Sequence, residues 1–124
     1  MSSLVAHSLI LLTLLLGLYG QVVLKWQVSR AGVPPEDWAG RIGYVLHLLV
    51  NPWVVTSVLA AFLGMVAWML ALARVELSYA YPFTSLSFVL ILVASAFVFH
   101  EPVTAQKLVG MALIIAGIAI GSRG

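Results

Sequence analysis

No cysteine occurs in the chain, and only six Lys/Arg and four Asp/Glu are spread over 124 residues. The first absence removes disulfide frameworks, thiolate nucleophiles and thiolate metal sites, and leaves the redox compartment open. The second falls far below the roughly 25% charged residues of a soluble domain. With 63% hydrophobic residues and a mean hydropathy of +1.13, hydrocarbon rather than water is the expected solvent. A disordered chain, which needs low hydrophobicity and high charge, is excluded. The surplus of two positive charges comes without a Lys/Arg cluster. It is assigned to topology and lipid headgroups, and no nucleic-acid partner is expected.

Catalytic signatures are missing as well. There is no Gly-rich phosphate loop, no G-x-S-x-G motif and no carboxylate pair. His7, His47 and His100 lie in separate segments without metal-ligand spacing. No enzyme activity, cofactor or metal is expected. No Lys or Arg precedes the first apolar run and no A-x-A site follows it, so that run is expected to remain as a span rather than be removed as a signal peptide.

The apolar runs define the architecture. A span needs about 20 mostly apolar residues. Four candidates cover residues 4–26, 52–73, 77–99 and 104–121, within one domain, 1–124. Asn51-Pro52 is a helix start, Asn as N-cap and Pro at the first helical position. Loops at residues 74–76 and 100–103 are short and force antiparallel neighbours. The expected fold is an all-α membrane protein, four transmembrane helices in a compact bundle with both termini on one side. Residues 29–50 form the one long connection. There a Pro34-Pro35-Glu36-Asp37 turn precedes Trp38, Ile42, Val45, Leu46 and Leu49 at helical spacing, which predicts an amphipathic helix in the membrane interface. An early extension of the second span is the alternative. Arg30, Arg41 and Lys107 face Arg74 and Arg123 across the membrane, a near-balance that permits both orientations.

Polar groups inside such a chain are functional candidates. Lys25 sits one turn after Gln21 on the same helix face. It is either a point charge for a phosphate, with the Gln amide as neighbouring donor, or a lysine snorkelling to the interface. No carboxylate occupies the middle of any span, which leaves the chain poorly equipped to hold a cation there and better suited to an anion. In the third span Pro82 kinks the helix and frees backbone carbonyls. Ser78, Tyr81 and Ser85 share one helical face beside it, open to a headgroup or bonded back to their own helix. In the fourth span Gly117 and Gly121 form a GxxxG pair and Ala112 and Ala116 add a second small pair. Such faces serve dimer contacts or packing within one bundle. Four short spans enclose a solute poorly, which favours a dimer.

Three stretches carry a resemblance to a known family. They are Gly20-Gln21 with Lys25; Ala80-Tyr81-Pro82 with Ser85-Leu86 and Phe88; and His100-Glu101-Pro102-Val103 with Gly110 and Ile114-Ile115-Ala116-Gly117-Ile118. Together they resemble the small multidrug resistance branch of the drug/metabolite transporters, among EamA-like four-span proteins. Within it the subunits of the aminoarabinose–undecaprenyl-phosphate flippase are most similar. The resemblance spans both ends of the chain and omits the long loop and second span. Two features depart from those subunits: Ser87 stands where they tend to have Asn, and the 29–50 loop is longer. The resemblance implies a four-helix fold, dimerisation through the fourth span, and movement of a lipid-linked sugar phosphate between leaflets. The drug-exporting members carry an essential glutamate in the first span; alignment on Gly20 and Lys25 puts Gly17 there.

The leading expectation is therefore a multi-pass protein of the bacterial inner membrane. It would be a flippase, or a flippase subunit, for a polyprenyl-phosphate-linked sugar such as an undecaprenyl-phosphate aminosugar. It would pair as a homodimer or with a similar small subunit, among membrane lipids. Lys25 with Arg74 would attract the phosphate, and Gln21, Tyr81 and Ser85 would contact the headgroup. Pro82, His100 and Glu101 would form a gate or helix-end contact, with Glu101 alternatively capping the fourth helix. Gly110, Ala112, Ala116, Gly117 and Gly121 would form the dimer interface. The competing expectations are a small cation or drug exporter relying on Glu101 or Glu76, and a non-transporting accessory subunit.

Overall fold

A computed structural model describes residues 2–124, and every regular element among them is helical. Helix α1 spans Ser2–Ala31, α2 Trp38–Leu49 and α3 Pro52–Leu72. The next apolar stretch divides into α4 (Leu77–Ala80), a 3-10 turn (Tyr81–Ser85) and α5 (Leu86–Val98), and α6 (Ala105–Gly121) follows. Leu4–Ala31, Pro52–Leu72 and Leu77–Val98 are each long and apolar enough to cross a membrane. Helix α6 is apolar but has 17 residues. Its length of about 26 Å falls just short of a hydrocarbon core of about 30 Å.

Local chemistry sets the boundaries. Helix α1 continues five residues past the expected end at Trp26, through Arg30 in its last turn, where a cation suits the helix dipole. It stops at Gly32, whose φ of +84° is the left-handed conformation that a glycine adopts without cost. The Asp37 side chain then caps α2, Oδ2 accepting from the Gly40 N–H at 2.9 Å. Tyr44 donates to the Gly32 carbonyl at 2.8 Å and ties the connection down. Helix α2 closes at Val50, and Asn51 starts α3 afresh, its Oδ1 accepting from the Trp53 N–H at 2.9 Å. The amphipathic segment is thus a helix of its own and not an early turn of α3.

The tightest packing joins α1 to α3, which run antiparallel. Val54, Ser57, Ala60, Gly64, Ala67 and Ala71 are the buried stripe of α3, nearly all small. Against them lie Ala6, Ile10, Leu14 and Val23 of α1. The small side chains let the backbones approach: a Cβ added at Gly20 would stand 3.2 Å from the Ser57 carbonyl oxygen. Hydrogen bonds cross at the same interface, from Thr13 Oγ1 to the Gly64 carbonyl at 3.3 Å and between Tyr19 and Thr56 at 2.8 Å. At the other end, His7 Nε2 and the Tyr79 hydroxyl meet at 2.8 Å. Ile10, Leu14, Ala71 and Ala80 form a small core there, joined by Trp68 and Phe83.

Helix α6 is peripheral. It touches α5 and the 3-10 turn, and none of its residues is buried. Nothing lies within 4 Å of a Cβ built at Gly110, Gly117 or Gly121. These glycines therefore make no close helix approach inside the chain. Large apolar side chains cover the outside, Phe62, Met69, Phe97, Leu113 and Ile120 among them, as hydrocarbon contact requires.

The α1–α3 contact predicts opposite outcomes at two glycines one turn apart. Gly20→Val forces α3 away and is expected to cost about 1–3 kcal/mol. Gly17→Ala enters open space and is expected to gain about 0.5–1 kcal/mol of helix stability. Thermal unfolding of the detergent-solubilised variants reads both.

Candidate functional site

Thr13, Gly17, Gln21 and Lys25 recur every fourth residue, so they form one stripe along α1. The stripe borders the face buried on α3: Val23 is enclosed, while Gln21 and Lys25 are exposed. Three cavities follow it. The first, of about 400 Å³, lies between Thr13 and Gly17 of α1, Ala61, Gly64, Met65 and Trp68 of α3, and Tyr81 and Thr84 of the 3-10 turn. The second, of about 250 Å³, continues past Gly17 and Gln21 toward Ser57 and Leu49. The third, of about 280 Å³, lies between Gln21, Val22 and Lys25 of α1, Ile91, Ser95 and Phe99 of α5, and Glu101. Shared residues Gly17, Ala61 and Gln21 join the three into one track. From Thr13 to Lys25 it runs about 18 Å at the helical rise.

The structure thus brings Gln21, Lys25 and Glu101 to one groove and Tyr81 to the opposite end of the same track. Lys25 stands six residues short of the end of α1. Glu101 leans into the groove, half-buried, and also lines an adjoining hollow with Ser95, Pro102 and Lys107. It does not cap α6: the Thr104 hydroxyl does, accepting from the Lys107 N–H at 3.2 Å. His100 holds the corner before it at φ 55°, and the N–H groups of Phe99 and Glu101 both reach the Ser95 carbonyl at 3.1 Å. Pro82 sits half-buried in the 3-10 turn.

Other candidates fall elsewhere. Arg74 follows the C-terminal end of α3 and therefore lies at the far end of the antiparallel pair from Lys25, so one phosphate does not meet both. Ser85 lies outside the track. The 3-10 turn is the reason: with three residues per turn it aligns Tyr81 with Thr84, not with Ser85. Thr84 donates to the Tyr81 carbonyl at 2.6 Å, and Tyr81 meets Trp68 edge-on at 6.4 Å. Ala112, Ala116, Gly117 and Gly121 are exposed on α6, whereas Gly110 is half-buried. Sequence reasoning passed over Thr13, Thr84 and Ser95. The four-residue repeat ending in Lys25 is the signal for Thr13; Ser95 stands among apolar residues with no motif around it and carries none.

The chain matches the EamA-like transporter family over residues 1–123. It is 41% identical over 117 residues to a protein of Pseudomonas aeruginosa named "Probable 4-amino-4-deoxy-L-arabinose-phosphoundecaprenol flippase subunit ArnE", covering 94% of this chain and 96% of that one. Proteins of the same name show 38% identity in Serratia proteamaculans, over 95% of this chain and 96% of theirs, and 37% in Pseudomonas fluorescens, over 94% and 97%. The chain belongs to the EamA-like transporter family. No solved structure matches it.

Gly17 lies at the junction of two cavities. In this EamA-like chain the middle of the track is therefore uncharged, with a lysine at one end. Because the chain lacks cysteine, the track can be mapped chemically. Gln21→Cys is expected to react with a water-soluble maleimide at least about tenfold faster than Val23→Cys, which faces α3 and is 7% exposed. Equal rates at the two positions would remove the groove.

Proposed function

We propose that the chain is a four-span subunit of a flippase that moves a polyprenyl-phosphate-linked sugar across the bacterial inner membrane. An undecaprenyl-phosphate aminosugar is the specific candidate, after the substrate in the relatives' name. The single observation carrying this reading is the track itself. Its mostly apolar walls carry a few hydroxyls and the Gln21 amide, with no carboxylate at Gly17 and Lys25 at one end, and it is flanked by exposed apolar helices. A polar headgroup follows such a track while its prenyl tail stays in the surrounding lipid.

Lys25 attracts the phosphate as a compact, mobile charge, and the Gln21 amide donates beside it. Tyr81, with Trp68 and Thr84, receives the sugar toward the other leaflet, and Arg74 stands beyond that end. Glu101 shares the Lys25 groove and competes with the phosphate for the ammonium, which makes it a gate. Helix α2 lies in the interface, its Trp38, Ile42, Val45, Leu46 and Leu49 side chains directed into lipid. Helix α6 pairs with a second copy or a similar small subunit through Ala112, Ala116, Gly117 and Gly121, with Gly110 at the edge of that contact. A partner is needed because the grooves are open on one side, and the relatives are named as subunits.

Lys25→Met is expected to leave insertion and pairing intact and to weaken binding of the phosphate lipid by roughly tenfold or more, the value of a hydrogen bond to a charged group. Binding of short-chain polyprenyl phosphate to the purified complex measures it. Unchanged affinity would reduce Lys25 to a snorkelling anchor. Proton-coupled export of quaternary ammonium compounds by the reconstituted protein would overturn the reading as a whole.

A further inference from the structure

A separate cavity of about 340 Å³ opens where the C-terminal end of α1 meets the end of α2 and the start of α3. Gln27, Arg30, His47, Leu48, Asn51 and Trp53 line it. Gln27 is 4% exposed, and its Nε2 is buried with no hydrogen-bond partner. Buried donors are rarely left so, and each such case calls for an occupant or a role.

The orientation of that amide is dictated by its neighbours. Asn51 caps α3, so its Oδ1 accepts from the Trp53 N–H at 2.9 Å and its Nδ2 is left to face α1. Gln27 meets it with Oε1, at 3.2 Å. Both amide oxygens are therefore used within the protein, and what remains is the Gln27 NH₂ group. The Arg30 guanidinium, which lies 5.6 Å from the centroid of the Trp26 ring, adds a fixed positive charge. The N-terminal end of α3 adds partial positive charge, which the C-terminal ends of α1 and α2 offset, so Arg30 and the Gln27 donor set the sign of the cavity. No Asp or Glu lines the cavity. An unpaired amide donor and a guanidinium, with no carboxylate beside them, make a site for an anion.

We propose that this cavity binds the phosphate group of an anionic membrane lipid. The surroundings favour a lipid over a free ion. Trp26 and Trp53 pack edge-on at 5.4 Å beside the cavity, the residue type and position of a headgroup-level belt. The neighbouring α2 exposes Ile42, Val45, Leu46 and Leu49, an apolar face against which acyl chains lie while the phosphate meets Arg30 and the enclosed Gln27 amide turns out to it. The site is distinct from the transport track: Gln27 is two residues beyond Lys25, about 200° around α1, on the side facing α3. It follows that this lipid holds α2 against the α1–α3 pair and is not the transported solute.

The test uses the full chain in detergent with four probes in its arms: dioctanoyl phosphatidylglycerol, dioctanoylglycerol with the same chains and no phosphate, inorganic phosphate, and short-chain polyprenyl phosphate. Tryptophan emission and the thermal midpoint are read for wild type, Gln27→Glu, Arg30→Gln and Lys25→Met. Gln27→Glu keeps an oxygen for Asn51 and replaces the free donor by an acceptor; Arg30 is exposed, so its replacement does not endanger folding. Phosphatidylglycerol is expected to stabilise the wild type, and both cavity variants to weaken its apparent affinity by about tenfold or more. Lys25→Met is expected to bind phosphatidylglycerol as wild type does while losing polyprenyl phosphate, which separates failure here from failure of the transport reading. Inorganic phosphate reproducing the response in the millimolar range would support the anion site and assign it to free phosphate. An equal response to dioctanoylglycerol, or wild-type affinity in both cavity variants, would overturn the proposal.

Discussion

The close antiparallel contact of α1 with α3 is the constraint on which the other features depend. In hydrocarbon, helices gain nothing from apolar contact as such, because lipid tails are equally apolar. Association rests on close packing and on hydrogen bonds between helices. The stripe Ser57, Ala60, Gly64, Ala67 and Ala71 supplies the first. Gly20 is a point of close approach, where a side chain would press on the Ser57 carbonyl. Thr13 and Tyr19 supply the second. Once Ala6, Ile10, Leu14 and Val23 are committed to α3, helical geometry leaves Thr13, Gly17, Gln21 and Lys25 at the rim. The track is thus a consequence of which α1 face is buried. It is not a separate construction.

The 3-10 turn at Tyr81–Ser85 is the second determinant. Pro82 lacks an N–H, so a regular helix through it would leave a carbonyl without its partner. The chain answers by tightening, and Thr84 bonds the Tyr81 carbonyl. Tightening changes the rotation per residue from about 100° to about 120°. Over four residues, the distance from Tyr81 to Ser85, that accumulates to a shift of about 80°. The same tightening therefore selects Thr84 as Tyr81's neighbour in the groove.

This explains how much of the molecule was legible in its sequence. The apolar runs, the Asn51-Pro52 helix start, the separate amphipathic helix and the break at Pro82 follow from local composition and capping, and appear where local rules put them. Lys25 and Gln21 share a face because α1 is regular. Ser85 was misplaced by applying the α-helical period across a segment that is not α-helical. The contribution of Glu101 was half legible. Its place between the spans is plain, but Thr104 caps α6, and only the fold of the corner puts Glu101 on the same cavity as Lys25. Gln27 was invisible, since its burial depends on α2 folding back over the end of α1, a long-range event that no local pattern encodes. The extension of α1 to Ala31 was missed because polarity after Trp26 reads as an exit from the membrane, whereas the helix itself ends where Gly32 permits it to.

The openness of the track bears on what the protein handles. Cavities of about 280 and 400 Å³ are near the lower end of ordinary small-molecule sites. They accommodate a headgroup and not the long apolar chain attached to it. A soluble solute crossing hydrocarbon needs walls on every side, because each unsatisfied polar group exposed to lipid costs several kcal/mol. A lipid-linked solute has a different requirement, since its tail must remain in the bilayer throughout and a fully closed tunnel would exclude it. An open flank is then a requirement of the substrate, while the headgroup still needs cover on its remaining side. The outward small-residue face of α6, which meets nothing within its own chain, offers the means by which a second subunit supplies that cover.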